Sequence, residues 1–244
     1  MTAGKGCVHN EMFPLIRTKN DNPTRFFQIW LNLPSKNKMA EPEFKMFWNH
    51  EIPVYESADQ NTKVALWAGN ALLPEGRVNN APPASSWAAD EANDVAIWHI
   101  TMQPGATWTL PAATNSKVNR QLFYLEGETQ VMKVGGQSIS KRTVHPLQAN
   151  MEIELQLDET ATGAGEFLLL QGKPIDESVA QYGPFVMNTA QEVQQASTDY
   201  SKTRFGGWPW PRDDIVFDRE QSRFGQFGKD SKKEAPSNAA CLAD

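Results

Sequence analysis

His9 and Glu11 stand one residue apart, just after a glycine-rich turn, in the opening stretch MTAGKGCVHNEMFP. An imidazole and a carboxylate are donors of the kind that hold a catalytic metal ion. A mononuclear site of two histidines and one carboxylate, or a related four-ligand site, keeps coordination positions open for substrate. If Gly6 to Met12 runs as a strand, alternate side chains share a face, so Cys7, His9 and Glu11 point the same way. Two donors do not complete a centre, and the other ligands have to come from elsewhere in the chain. The plainer alternatives are a cysteine acting as a small apolar filler, a hydrogen-bonded core histidine, and a capping or salt-bridged carboxylate.

The remaining histidines are poor candidates for those ligands. His50, in WNHEIP, lies in a proline-bounded loop; His99, in VAIWHITM, lies in a strand and reads as a hydrogen-bonded strand histidine; His145 precedes Pro146 among apolar and amide neighbours. No two histidines are spaced as an HxH pair.

The elements that must position these residues are mostly strands. Thr24 to Leu33, TRFFQIWLNL, is aromatic and branched and closes at Pro34, which predicts a buried strand ended by a turn. Pro34 to Pro53 reads as loop and short extended pieces. Val64 to Ala68 is a short strand. Further strands are expected at Ser86–Trp87, Val95–Met102, Thr107–Leu110, Arg120–Leu125, Thr129–Val134, Ser138–Val144, Glu152–Leu157 and Glu166–Leu170. Gly105, Gly127, Gly135-Gly136 and the Gly163 to Gly165 stretch supply the turns between them. Many short, closely spaced strands indicate an all-β sandwich or barrel. One helix stands out: Thr189 with Glu192 forms a capping box, Val193, Ala196 and Tyr200 follow at helical spacing, and Gly206 suits the C-terminal cap. GGWPWPRDD is too proline-rich for regular structure, so its tryptophans are buried or form a partner site. The tail from Lys229 is small, polar and charged, and disorder is expected there.

Composition narrows the function classes. With 244 residues, 40% hydrophobic content and eight tryptophans, the chain can bury a large core. A net charge of −6 and a pI near 5.3 disfavour direct binding of nucleic acid. Cys7 and Cys241 lie near opposite ends, which is no disulfide framework and fits a reducing compartment. Neither a signal peptide nor an apolar run long enough to cross a bilayer is visible, so the chain reads as cytosolic or nuclear, without a membrane role.

The segments MTAGKGCVHNEMFP, QIWLNLPSKNKM, EIPVY, YGPFVMNTAQEVQQA and RFGGWPWP together resemble the pirin family of bicupin proteins, in the family's order and across nearly the whole chain. The resemblance implies an all-β fold of two cupin jelly-roll barrels plus a C-terminal helix. Residues 1–52 would form the C-terminal portion of the first, metal-binding cupin, and 53–185 a second cupin. Residues 186–228 would hold the helix and the WPWP segment, and 229–244 a disordered tail. It also implies an iron-type or other divalent transition metal, quercetin 2,3-dioxygenase-like activity on a flavonol-like molecule, and a role as a transcription cofactor acting through a regulatory protein. The family's metal ligands are an HxH pair and the histidine and glutamate of the HxE block, which map onto His9 and Glu11; Glu11 would also accept a substrate proton. The HxH pair has no counterpart, so the chain resembles a pirin whose first barrel is incomplete. At the second barrel's ligand positions stand Pro111, Ala113 and Arg120, neither of the first two a ligand and the third a cation. That barrel is expected to be metal-free and structural.

Overall fold

The structure is a computed structural model describing residues 1–236 except 14, 16, 74 and 75. It comprises two compact units: Asn49–Asp176, and Met1–Trp48 together with the chain from Glu177 onward. Boundaries read from sequence fall at 52/53 and 185/186.

The 49–176 unit is a strand sandwich. It contains β1 (Val54–Glu56), β2 (Thr62–Leu73), β3 (Gly76–Asn80), β4 (Ala96–Met102), β5 (Thr107–Leu110) and β6 (Asn119–Glu126). There follow β7 (Met132–Val134), β8 (Gln137–Ile139), β9 (Thr143–Leu147), β10 (Ile153–Leu157) and β11 (Gly165–Gly172). One sheet runs β1-β2-β4-β11-β6-β9 with β3 on β2; the other runs β5-β10-β7-β8. The two remain separate antiparallel sheets. Period-two burial fixes their inner faces: along β4, Trp98, Ile100 and Met102 are buried while Ile97, His99 and Thr101 are half-exposed. Leu66, Leu122, Tyr124, Leu155, Phe167 and Leu169 fill one core cluster between the sheets. Each such side chain contributes on the order of 1.5–3 kcal/mol by leaving water. Tyr124 stacks on Phe167 with centroids 4.9 Å apart, and its hydroxyl donates to the Glu128 carbonyl at 2.9 Å.

In the other unit, β12 (Ala180–Tyr182) and β13 (Phe185–Met187) form a hairpin that leads into α1 (Ala190–Thr203). The capping box is present: Thr189 accepts from the Glu192 amide, and the Glu192 carboxylate accepts from the Thr189 amide at 2.8 Å. Val193 is the buried residue of α1, so the helix docks through a narrow face. The C-terminal cap is Arg204 in the left-handed region rather than Gly206, and Phe205 follows with φ 49°. Glu177 ties the chain near the hairpin to the 3-10 turn Ser35–Asn37, accepting from the Ser35 amide at 2.7 Å and from Asn188 Nδ2 at 2.8 Å. Lys38 is 4% exposed and donates to Asn32 Oδ1 at 2.6 Å and the Leu33 carbonyl at 2.8 Å.

Several sequence expectations are corrected. Gly6–Met12 and Thr24–Leu33 are not strands: among the described residues neither segment joins a β-ladder. Side-chain alternation therefore does not place Cys7, His9 and Glu11 on one face. Ser86–Trp87 is not a strand either: Ser86 caps a 3-10 turn, Trp87–Ala89, by accepting from the Ala88 amide, and Trp87 Nε1 donates to the Lys173 carbonyl. The expected strand Ser138–Val144 is split between β8 and β9 by Arg142, which adopts φ 61°. WPWP is irregular, and its half-buried tryptophans pack on each other with centroids 4.7 Å apart. Of the tail, residues 237–244, with Cys241, lie outside the described residues; Lys233 lies 4.2 Å above the ring of Phe224, beside a Gly225–Glu234 bridge. Among the described residues no helix is long and apolar enough to cross a membrane.

Candidate functional site

The loop bearing His9 and Glu11 is anchored on its amino-terminal side. Thr2 and Glu43 exchange backbone hydrogen bonds at 2.7 and 3.0 Å, the Lys5 amide donates to the Ala40 carbonyl at 2.9 Å, and Lys5 pairs with Glu41. Gly4 sits at φ +50°, where a Cβ would come within 2.0 Å of the Ala40 carbonyl oxygen. Only glycine passes there. Cys7 is half-buried; burial pushes its thiol pKa up, and its Sγ contacts the Val8 carbonyl at 3.6 Å. A thiol held protonated is a poor metal ligand.

Beyond Cys7 the chain emerges into solvent. His9 Nε2 and Glu11 Oε1 are 3.9 Å apart, both on exposed side chains, while Asn10 Nδ2 donates to the Asp213 carbonyl at 3.4 Å. These three residues, with Phe13, Phe26 and Gln28, line an open pocket of about 430 Å³. Its apolar side is a stacked pair: the rings of Phe13 and Phe26 lie 5.3 Å apart, inclined by 28°. The sequence singled out the two polar donors and missed this wall. The signal was the aromatic run TRFFQ, which reads equally well as the buried face of a strand.

The donor set does not amount to a mononuclear metal centre. His9 and Glu11 are close enough to share an ion after a small side-chain rotation, but among the described residues no cluster of three or more histidine, cysteine, aspartate or glutamate side chains is arranged to hold one. The other histidines have local partners. His50 Nε2 lies 3.7 Å from Glu51; His99 pairs with Glu166 at 3.0 Å under the stacked indole of Trp67; His145 is 2.7 Å from Thr143 Oγ1. At the three positions expected from the sequence to correspond to ligands in the 49–176 unit, the Pro111 carbonyl accepts from Arg120 Nη2 at 2.8 Å, the Ala113 amide donates to the Ala149 carbonyl, and Arg120 itself is 3% exposed.

Comparison with known proteins places this geometry in context. Residues 97–206 match the pirin C-terminal cupin domain. A pirin-like protein of Solanum lycopersicum is 31% identical over 84% of this chain and 63% of its own length. Human pirin is 27% identical over 84% of this chain and 64% of its own length. The chain thus spans just under two thirds of these relatives. A crystal structure of quercetin 2,3-dioxygenase from Acinetobacter baumannii aligns with a TM-score of 0.58 and 25% identity, covering 72% of this chain and 55% of that one.

Proposed function

The chain belongs to the pirin family of cupin proteins, and from that premise we propose that its amino-terminal unit carries part of a flavonol-directed metal site. His9 and Glu11 are the polar donors, and the Phe13–Phe26 stack is the platform for a planar aromatic ligand. The observation that carries this reading is the convergence of an imidazole, a carboxylate and a stacked aromatic pair on one pocket. An aromatic wall with a few oriented polar groups is the usual make-up of a small-molecule site. A flavonol-like hydroxy-ketone would lie on the rings and present its hydroxyl to Glu11, which as a carboxylate accepts a hydrogen bond or the proton itself.

In a cupin of this kind the cofactor is iron or another divalent transition metal, and it supplies Lewis-acid and electron-transfer chemistry. The residues present here do not fit a complete site for it, so the reading for this chain is ligand binding without dioxygenase turnover. Quercetin 2,3-dioxygenase-like activity belongs to a form in which further donors join His9 and Glu11. Titrating quercetin into the chain with and without ferrous, nickel, manganese or copper ions, and following its visible absorbance, tests both halves. Saturable binding with no loss of the flavonol above the metal-free control supports the reading; absence of binding removes it.

A second reading, a non-enzymatic regulatory protein acting through a protein partner, is favoured by one observation. Met12, Phe13, Leu15, Phe26, Trp30 and Leu31 are all at least 38% exposed within one short region. Contiguous apolar exposure is characteristic of interaction surfaces. With a net charge of −6, any action on DNA would run through that partner. Recovery of a transcription regulator in crosslinks to Phe26 or Trp30, lost on Trp30→Glu, would support it.

A further inference from the structure

Three buried polar atoms at one end of the 49–176 sandwich have no hydrogen-bond partner: Arg120 Nε, Trp98 Nε1 and the Gln171 side-chain oxygen Oε1. Their strands bring them together. Gln171 on β11 is registered between Arg120 on β6 and Ala96 on β4, and Trp98 lies two residues along β4 from Ala96. Gln171 therefore faces Arg120 directly and Trp98 diagonally, and side chains so related are within reach on a sheet face. Arg120 and Trp98 are each 3% exposed, and Ala96, registered beside Gln171 in the same row, presents only a methyl group there.

Arg120 is a buried cation with no direct ion pair among the described residues. Its guanidinium donates to the carbonyls of Pro111 at 2.8 Å and Met151 at 3.4 Å, and no carboxylate among the described residues forms an ion pair with it. Asp94 is the charge nearest in effect, but its carboxylate is engaged by the Thr114 amide at 2.6 Å and by Gln171 Nε2 at 3.1 Å. Burial pushes the Arg120 pKa down, and Asp94 offsets that only in part. A buried charge of this kind is costly unless paired.

We infer that this end of the second cupin is a binding site for a small 2-hydroxycarboxylate of the size of glycolate. Its carboxylate accepts from Arg120 Nε and Trp98 Nε1, and its hydroxyl donates to Gln171 Oε1. The assignment uses each orphaned atom once: two N–H donors and a positive charge for the carboxylate, one acceptor for the hydroxyl. Arg120 stands at the cupin position where a ligand glutamate would be expected, so a fixed cation takes the place of the metal and the ligand preference changes from neutral or metal-bound oxygen to carboxylate. This inference is independent of the His9 pocket.

The test uses the full chain with its tryptophan side chains labelled with nitrogen-15, the Trp98 indole resonance being assigned by Trp98→Phe. Sodium glycolate, sodium acetate and sodium chloride are titrated at constant ionic strength. Glycolate is expected to move the Trp98 resonance saturably and to bind several-fold more tightly than acetate. Gln171→Met should abolish that preference while retaining acetate binding, and Arg120→Met should abolish binding of both. If Arg120→Met fails to fold, the wild-type and Gln171→Met titrations still decide. A Trp98 resonance that responds to glycolate no more than to chloride, as for a site that holds only water, would overturn the inference. So would an unchanged glycolate preference in Gln171→Met.

Discussion

The ring of Phe205 lies flat against Gly6: a Cβ on Gly6 would meet three of its ring carbons at 2.4–2.6 Å. The contact joins the end of α1 to the turn that leads into Cys7 and His9. Phe205 reaches it from φ 49°, directly after Arg204 at φ 48°, a conformation that β-carbon sterics disfavour by roughly 1–3 kcal/mol per residue. Phe185 and Tyr200, with centroids 6.1 and 5.4 Å from Phe205, complete the aromatic cluster that holds it there. The candidate pocket thus depends on the carboxy-terminal helix for its footing.

Gly6→Ala should destabilise the unit by about 1–3 kcal/mol through overpacking, with further strain from the glycine's φ of +124°. Combining it with Phe205→Ala should remove most of the additional penalty that Gly6→Ala imposes. Chemical denaturation of the four proteins of this double-mutant cycle measures the coupling.

Removing the helix cap separates local from tertiary support. Thr189→Ala should cost about 1 kcal/mol, within the range of roughly 0.5–2 kcal/mol for such caps. Glu192→Ala in the same background should add little, because the two residues satisfy each other's amides. Thermal melts of the single and double variants provide the comparison.

Much of this was legible in the sequence where local signals and tertiary contacts agree. The 3.6-residue pattern from Val193 and the Thr189–Glu192 pair specify α1, and the alternation in AIWHITM and TWTL specifies β4 and β5. The reading failed where pairing decides the outcome. TRFFQIWLNL has strand composition, but a strand needs a partner strand, and among the described residues this segment joins no β-ladder. The Ser86 hydroxyl is a turn-capping group by type, whereas the left-handed conformation of Arg142 has no signal in its residue type. At the candidate site, His9 and Glu11 were recognisable by type and spacing, whereas Phe13 meets Phe26 across thirteen residues, a relationship that periodicity does not encode.

Glu177 supplies a pH prediction. Hydrogen bonds from the Ser35 amide, foremost, and from the Asn188 and Ser35 side chains hold its pKa below the ordinary 4.5. A carboxylate with a depressed folded-state pKa contributes stability that is fully present above the unfolded value and is lost as pH falls through the folded one. Stability should therefore decline below about pH 4.5, and Glu177→Gln should flatten part of that decline while lowering stability at neutral pH. Urea midpoints measured from pH 3 to pH 7, a range bracketing ordinary carboxylate pKa values, check both signs.

Backbone pairing differs between the segments that flank the site and the sandwich. Among the described residues, 1–48 contribute one isolated bridge, Thr2–Glu43, and one 3-10 turn, whereas residues 96–172 lie largely in paired strands. Native-state hydrogen exchange should find amides of residues 8–31 exchanging through low-energy local openings and those of β4, β6 and β11 only through near-global unfolding. Comparable protection in the two regions would show that the amino-terminal segment is paired in a way not seen here.

As proposed above, His9, Glu11 and the Phe13–Phe26 wall form a ligand site too poor in donors for dioxygenase chemistry. Its most direct test is quercetin titration of the ferrous-loaded chain under air, with absorbance reporting both binding and loss of the flavonol, alongside His9→Ala and Phe26→Ala. Saturable binding, weakened in both variants and without turnover above the metal-free control, is the expected result. Turnover by the wild-type chain that His9→Ala abolishes, or binding that neither variant weakens, would contradict the account.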